Sequence, residues 1–208
     1  HISPKISLSY ALGDDASVYT SIAEGFRSGG FNFFNPATYG PETVRTYELG
    51  AKALLLDGRL SATSAVFFSQ YSDYQAGDLL LDNNGVPRFS ISNPGDAEIR
   101  GVEWSTQYSL SDQVSVGFNG HYLDTEFTRL GDPAVSSVIV GDSLSGIPRY
   151  SYSFNAKYDF DWSFGADGFA LLDFSEQGGT TDINRFAIPA IAKSEDVRLL
   201  NAQIGAQW

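Results

Sequence analysis

Ser143, in the run VIVGDSLS from Val138 to Ser145, is a candidate nucleophile. An attacking serine needs a base. The only two histidines, His1 and His121, both precede it. The run therefore reads as a loop with a turn at Gly141–Asp142, and no catalytic residue is assigned. His121 could hold a metal, but zinc takes three or four ligands and no second His or Cys is nearby. Asp78, Asp82 and Asp96, with Asn83, Asn84 and Gly85, offer oxygens to calcium, yet DNNG fits a turn and lacks the distal Glu of an EF-hand. Neither a metal nor a cofactor is expected. Glu48 and Glu103 could work as an acid–base pair, but they fall on different strands and read better as carboxylates paired with Lys52 or Lys157. Arg27, Phe31, Asn32, Phe33 and Phe34, around Gly29–Gly30, are the ligand-binding candidates. Aromatics supply stacking area and Arg27 could pair an anionic group. Interfacial anchoring and loop packing would use the same residues.

These side chains need a scaffold, and period two dictates it. Tyr150 to Phe160 reads YSYSFNAKYDF, with Tyr150, Tyr152, Phe154, Ala156, Tyr158 and Phe160 on one face and Ser151, Ser153, Asn155, Lys157 and Asp159 on the other. Eight more runs read as strands: Lys5 to Leu12, Ser17 to Phe26, about Thr43 to Leu56, Leu60 to about Tyr74, about Glu98 to Leu110, Val114 to Phe127, about Phe164 to Phe174, and Val197 to Trp208. The facing of the run from Phe164 is ambiguous. Short turns rich in Asp, Gly and Ser alternate with long segments, about Arg27 to Glu42, Gln75 to Ala97, Thr128 to Arg149 and Ser175 to Asp196. Up-and-down strands then put every tight turn at one end and every long loop at the other.

The chain has 208 residues and a formal net charge of -12, which argues against binding nucleic-acid phosphate. It has no cysteine, so a disulfide scaffold and a Cys-ligated metal are excluded. The opening HISPKISLSY has no basic segment followed by an apolar one, so no signal peptide is expected there. No apolar run reaches helical membrane-spanning length. The strands are long for a soluble sheet and suit a tilted bilayer crossing. One face of each is aromatic and nearly uncharged, whereas the other carries Glu48, Lys52, Glu103, Asn155 and Lys157. Apolar-out, polar-in alternation with short turns at one end describes an all-β, antiparallel, up-and-down transmembrane β-barrel.

Several strings resemble the C-terminal barrel half of TonB-dependent outer-membrane receptors. They are VYTSIAEGFRSGGFN from Val18, ETVRTYELGAK from Glu42 with LDGRLSATSAVFFSQYSDYQ behind it, SNPGDAEIRGVE from Ser92, GIPRYSYSFNAKY from Gly146, and Leu200 to Trp208. They follow the family's order along nearly the whole chain. The resemblance implies that residues 1–208 form part of the receptor barrel, about nine of twenty-two strands. The plug domain, first barrel half and last two strands would lie outside it. It also implies an outer membrane of a Gram-negative bacterium, contact with its lipid, and energy coupling to TonB through the plug. The implied role is import of a scarce solute: siderophore-bound iron, cobalamin, haem or an oligosaccharide. The lumen residues would then face the plug. Two rival expectations are a passive porin and, because GDSL resembles an esterase motif, a soluble esterase using Ser143.

Overall fold

Alternation on this scale produces strands wherever neighbours can pair. The computed structural model describes residues 2–33, 37–81, 84–131, 138–162, 165–184 and 190–207. Its strands are β1 (Lys5–Ala11), β2 (Ala16–Arg27), β3 (Gly30–Phe31), β4 (Thr38–Tyr39), β5 (Glu42–Leu55), β6 (Leu60–Leu81), β7 (Pro87–Ser109), β8 (Val114–Leu130), β9 (Tyr150–Trp162), β10 (Ala166–Gln177), β11 (Thr181–Asn184), β12 (Ala190–Lys193) and β13 (Val197–Gln207). Nine of these form one sheet in the order β1-β2-β5-β6-β7-β8-β9-β10-β13. Every neighbouring pair is antiparallel. The two small pairs, β3–β4 and β11–β12, sit inside two of the long connections.

The tight turns are locally encoded. Between β5 and β6, Arg59 N–H donates to Leu56 O at 3.2 Å, and Asp57 and Gly58 between them have φ of 55° and 83°. Positive φ at both central positions is the hairpin geometry that matches strand twist, and Asp-Gly adopts it readily.

One expected loop is not a loop. Most of the segment from Gln75 to Ala97 continues the β6–β7 hairpin as far as Leu81 and Pro87. Two register shifts, between Tyr71 and Tyr74 and between Tyr74 and Ala76, interrupt the ladder. Asp73 takes a positive φ of 53° there. An inserted residue bends a strand and increases its twist.

The register sorts side chains onto two faces. One row runs Thr106, Phe118, Phe154, Phe174, Leu200 across β7, β8, β9, β10 and β13. Leu49 and Val66 share that face on central strands, yet are 57% and 51% exposed. Removing such a side chain from water is worth about 1.5–3 kcal/mol. A soluble sheet would cover this face with a second layer; a barrel wall turns it to lipid. Aromatics mark both borders: Tyr158, Phe160 and Trp162 meet tilted and edge-on at the short-turn end, and Tyr47 with Phe68 and Tyr150 with Tyr152 stack towards the long-loop end. Trp and Tyr favour such interfacial levels. The opposite face is concave and borders an open hollow of about 610 Å³ lined by Tyr19, Thr63, Glu103, Asn119 and His121, among others.

Facing on β10 is now defined. Leu172 and Phe174 point outward with Ala156 and Phe154, while Phe169 and Leu171 point inward with Asp159 and Lys157. Buried apolar side chains gather instead at the long-loop end, where Ala97, Phe127, Val138 and Leu144 form a cluster against Tyr71, Tyr74, Ile99 and Ile147. The edges β1 and β13 have no second partner among the described residues.

Candidate functional site: inner wall and long-loop end

The register places Glu48, Lys52, Glu103, Asn155 and Lys157 on the concave face together. The expected carboxylate–lysine pairs do not form. Lys52 stands opposite Ser17 and Thr63, and Lys157 opposite Ser115 and Leu171, so no carboxylate stands directly across from either lysine. Lys157 Nζ instead meets Asp159 Oδ2 at 2.7 Å, and Lys52 Nζ lies 5.5 Å from the Tyr19 ring centroid. Tyr19 covers Gly50, where any Cβ would run into its ring. Glu48 and Glu103 lie on β5 and β7 with β6 between them, so they are not cross-strand neighbours. His121 sits directly opposite Glu103 and Ser151 on the same face.

Above the wall, three side-chain amides stitch the first long loop to the β6–β7 hairpin. Asn32 Nδ2 donates to Ile91 O at 2.9 Å, and its Oδ1 accepts from Ile91 N at 2.7 Å. Gln75 Nε2 donates to Ser28 O and Gly40 O, both at 3.0 Å. Asn93 accepts from Gly40 N at 2.6 Å and donates to Asp73 O at 2.6 Å. Glu42, buried, accepts from Gln75 N at 2.6 Å. Burial raises the Tyr74 phenol above its ordinary value, Glu42 adds to this, and Arg27 opposes it. Arg27 stands directly opposite Glu42 at the outer end of β2. Phe31 and Phe33 project from the stitched loop, 77% and 89% exposed. Phe34 lies outside the described residues, as do Asp82, Asn83 and Trp208.

The amide stitch has no sequence pattern of its own, because each side chain bonds to backbone rather than to another side chain. It carries a prediction. Asn32→Ala leaves both Ile91 backbone groups without their partner, at a cost of about 1–3 kcal/mol if they stay dry. Amide exchange at Ile91 in the complete protein should accelerate by an order of magnitude or more, with the inner-wall amides unchanged. Equal exchange in both proteins would show that the stitch holds nothing.

The next long loop packs on the inner side of the wall. Leu144 N–H donates to Thr125 Oγ1 at 3.1 Å, and Phe127 and the Gly141–Asp142 turn exchange backbone bonds of 2.9 Å. The expected turn is present: Asp142 N–H donates to Ile139 O at 3.1 Å, with Gly141 at φ 89°. Ser143 follows it, half-buried, in a cavity with no histidine in its lining. Asp96 accepts from Arg129 Nε at 2.7 Å and from Asp73 N at 3.1 Å, so its oxygens are occupied by protein donors. This pairing holds the Arg129 guanidinium further above its ordinary value.

A charged rim that the sequence reading missed closes the outward apolar face. Arg45 pairs with Glu24 at 2.5 Å, Arg100 with Glu98 and Glu126 at 2.8 and 3.2 Å, and Arg198 with Glu176 at 3.0 Å. Tyr152 and Tyr150 also donate to Glu176, at 2.8 and 3.2 Å. The residues recur where the apolar alternation stops, which was the available signal.

The wall, the inward polar face and the loop platform agree with known proteins. The profile of the TonB dependent receptor-like β-barrel matches residues 1–208. The metal-pseudopaline receptor CntO of Pseudomonas aeruginosa is 26% identical over 190 residues, covering 90% of this chain and 25% of that protein. The pesticin receptor of Yersinia pestis is 29% identical over 167 residues, covering 78% of this chain and 23% of that protein. The chain thus spans about a quarter of the length of such relatives. Among solved structures, the ferric yersiniabactin uptake receptor FyuA from Yersinia pestis superimposes with a TM-score of 0.74 at 22% identity, over 97% of this chain and 29% of that one. BauA, the ferric preacinetobactin receptor from Acinetobacter baumannii, gives 0.69 at 21%, over 97% and 29%. These are outer-membrane barrels, and the apolar face described above is the face such a barrel turns to lipid. The chain belongs to the TonB-dependent receptor β-barrel family.

Proposed function

We propose that the complete protein imports a scarce metal chelate across the outer membrane, drawing energy from TonB through a plug domain seated against the concave face. Membership of the receptor family along all 208 residues carries this reading. Its relatives support a metal chelate over a sugar: they are receptors for metal-pseudopaline, ferric yersiniabactin and ferric preacinetobactin. In this reading Glu48, Lys52, Glu103, Asn155 and Lys157 contact the plug. Phe31 and Phe33 meet the ligand from the outer loop and Arg27 meets its anionic part, while Asn32 holds that loop in place. The unpaired edges of β1 and β13 join further strands of the same barrel, since an open edge in lipid leaves backbone groups unsatisfied. No step of the reading breaks a covalent bond in the ligand, so the protein acts as a transporter and not as an enzyme.

The test is uptake of radiolabelled iron or nickel chelates by cells making the complete protein, with and without functional TonB. Uptake should vanish without TonB. Uptake that persists would point to a passive porin. Within that assay, replacing Phe31 and Phe33 together by Ala should weaken chelate binding by about tenfold, given about 0.5–1.5 kcal/mol per aromatic contact. Unchanged affinity would remove these two side chains from the ligand site.

A further inference from the structure

We infer that Asn84–Gly85 is a site of spontaneous chemical modification, at which the Asn84 amide is lost to water and the outer tip of the β6–β7 hairpin gains a negative charge. The chain holds two Asn-Gly pairs, Asn84–Gly85 and Asn119–Gly120. In such a pair the following backbone nitrogen reaches the side-chain carbonyl carbon with least obstruction, because glycine has no Cβ beside that nitrogen and turns freely. The two pairs share this chemistry and differ in their surroundings. Asn84 and Gly85 belong to the DNNG run that reads as a turn, beyond the paired Leu81 and Pro87, and both are exposed. Gly85 takes a φ of 74°. Apart from its chain neighbours, no heavy atom lies within 4 Å of the place a Cβ would occupy there. The backbone at the attacking nitrogen is therefore uncrowded.

Asn119 and Gly120 are held on both sides. They sit within β8, laddered to β7 at Ser105 and Trp104 and to β9 at Ser153 and Tyr152. The Asn119 side-chain oxygen accepts the Ser105 hydroxyl at 2.5 Å. A Cβ on Gly120 would meet the Trp104 ring at 2.5 Å and Ser151 O at 2.9 Å. Bringing the Gly120 nitrogen onto the Asn119 side chain requires local opening of a central strand, which costs more than movement in a turn. The sheet thus makes one of two identical dipeptides reactive and protects the other. At Asn84 the step balances with water alone. The Gly85 nitrogen gives its proton to solvent and bonds to the Asn84 side-chain carbonyl carbon. The bond from that carbon to the amide nitrogen breaks, ammonia leaves, and a succinimide ring closes. Water then opens the ring. Cleavage from the side-chain carbonyl gives aspartate; cleavage from the main-chain carbonyl gives isoaspartate, in which the chain runs through the side-chain carbon. Either product carries one new negative charge. The long connections of such a barrel face the cell exterior, so the outer surface of the receptor changes charge with age and without an enzyme.

The complete receptor, purified from freshly grown cells, would be held in mildly alkaline heavy-oxygen water, folded in detergent and in parallel unfolded in guanidinium, with peptides taken at intervals for mass spectrometry. In the folded receptor the Asn84 peptide should convert, with heavy oxygen in the new carboxyl group, at least about a hundredfold faster than the Asn119 peptide. In the unfolded receptor, where no ladder protects either pair, the two rates should agree within about threefold. Gly85→Ala, which puts a Cβ beside the attacking nitrogen, should slow conversion at Asn84 by about tenfold or more and leave the amount of folded barrel unchanged. Equal rates at the two sites in the folded receptor overturn the inference. So does an Asn84 that keeps its amide in the folded receptor while losing it in the unfolded one, a product without heavy oxygen, or a rate indifferent to Gly85→Ala.

Discussion

Phe154→Arg in the complete receptor should reduce folded, heat-modifiable barrel in the outer membrane by an order of magnitude or more, while Asn155→Arg should leave it near the parental level. Phe154 lies mid-strand in the outward row, between Phe118 on β8 and Phe174 on β10. Arginine on the lipid face near the bilayer midplane costs about 2–4 kcal/mol, and the lumen imposes no such term. Every 1.4 kcal/mol is about a tenfold change in an equilibrium, so assembly of the first variant should fail on energetic grounds alone. The neighbouring position has the opposite surroundings. Asn155 faces inward, directly opposite Gly117 and Asp173, and an arginine there gains a carboxylate neighbour. Similar loss in both variants would mean that the two faces are not chemically distinct environments. The reverse order would turn the wall inside out.

A second large effect is expected at Phe127. Phe127→Ala should release the segment 138–149 from the inner side of the wall without reducing the amount of assembled barrel. Phe127 and Leu144 are each 1% exposed, and Phe127 packs edge-on to Tyr74 at 5.8 Å between centroids. Truncating a buried phenylalanine costs about 3–5 kcal/mol. The loss falls on the loop cluster because Phe127 packs with Val138 and Leu144 at the long-loop end of the wall. Amide protection at Gly141 and Leu144 should drop by about a hundredfold or more, and chelate binding should weaken with it. Protection that stays at the parental level in the Ala variant would show that the long-loop end is held by something other than this cluster.

The wall was legible because its physics is periodic. Tyr150 to Phe160 announces both its strand and its facing, and turn chemistry such as Asp57-Gly58 marks where each hairpin reverses. What stayed hidden is where periodicity ends. The outer half of the β6–β7 hairpin is separated from the wall by the bulge near Asp73, and a bulge shifts the phase of the alternation, so Leu79 and Phe89 did not read as a continuation. β10 was ambiguous because Phe169 and Leu171 are apolar and inward while Leu172 and Phe174 are apolar and outward. The polar-inside rule has exceptions on this wall. The candidate site divides in the same way. The inward set of Glu48, Lys52, Glu103, Asn155 and Lys157 followed from parity alone. The amide stitch of Asn32, Gln75 and Asn93 did not, because its partners are backbone atoms up to 59 positions away. The pairing of Lys157 with Asp159 was missed for a simpler reason. Its partner lies two residues along the same strand and not across the sheet.

The most direct test of the account is a nitroxide scan from position 150 to position 160 in the complete protein, embedded in outer-membrane lipid, read by collision with oxygen and with a water-soluble nickel complex. Positions 152, 154, 156 and 158 should show oxygen maxima, and positions 151, 153, 155 and 157 oxygen minima, a period of two through the whole strand. Oxygen maxima at the odd positions, or no alternation at all, would contradict the placement of this chain as a lipid-facing barrel wall with a polar lumen behind it.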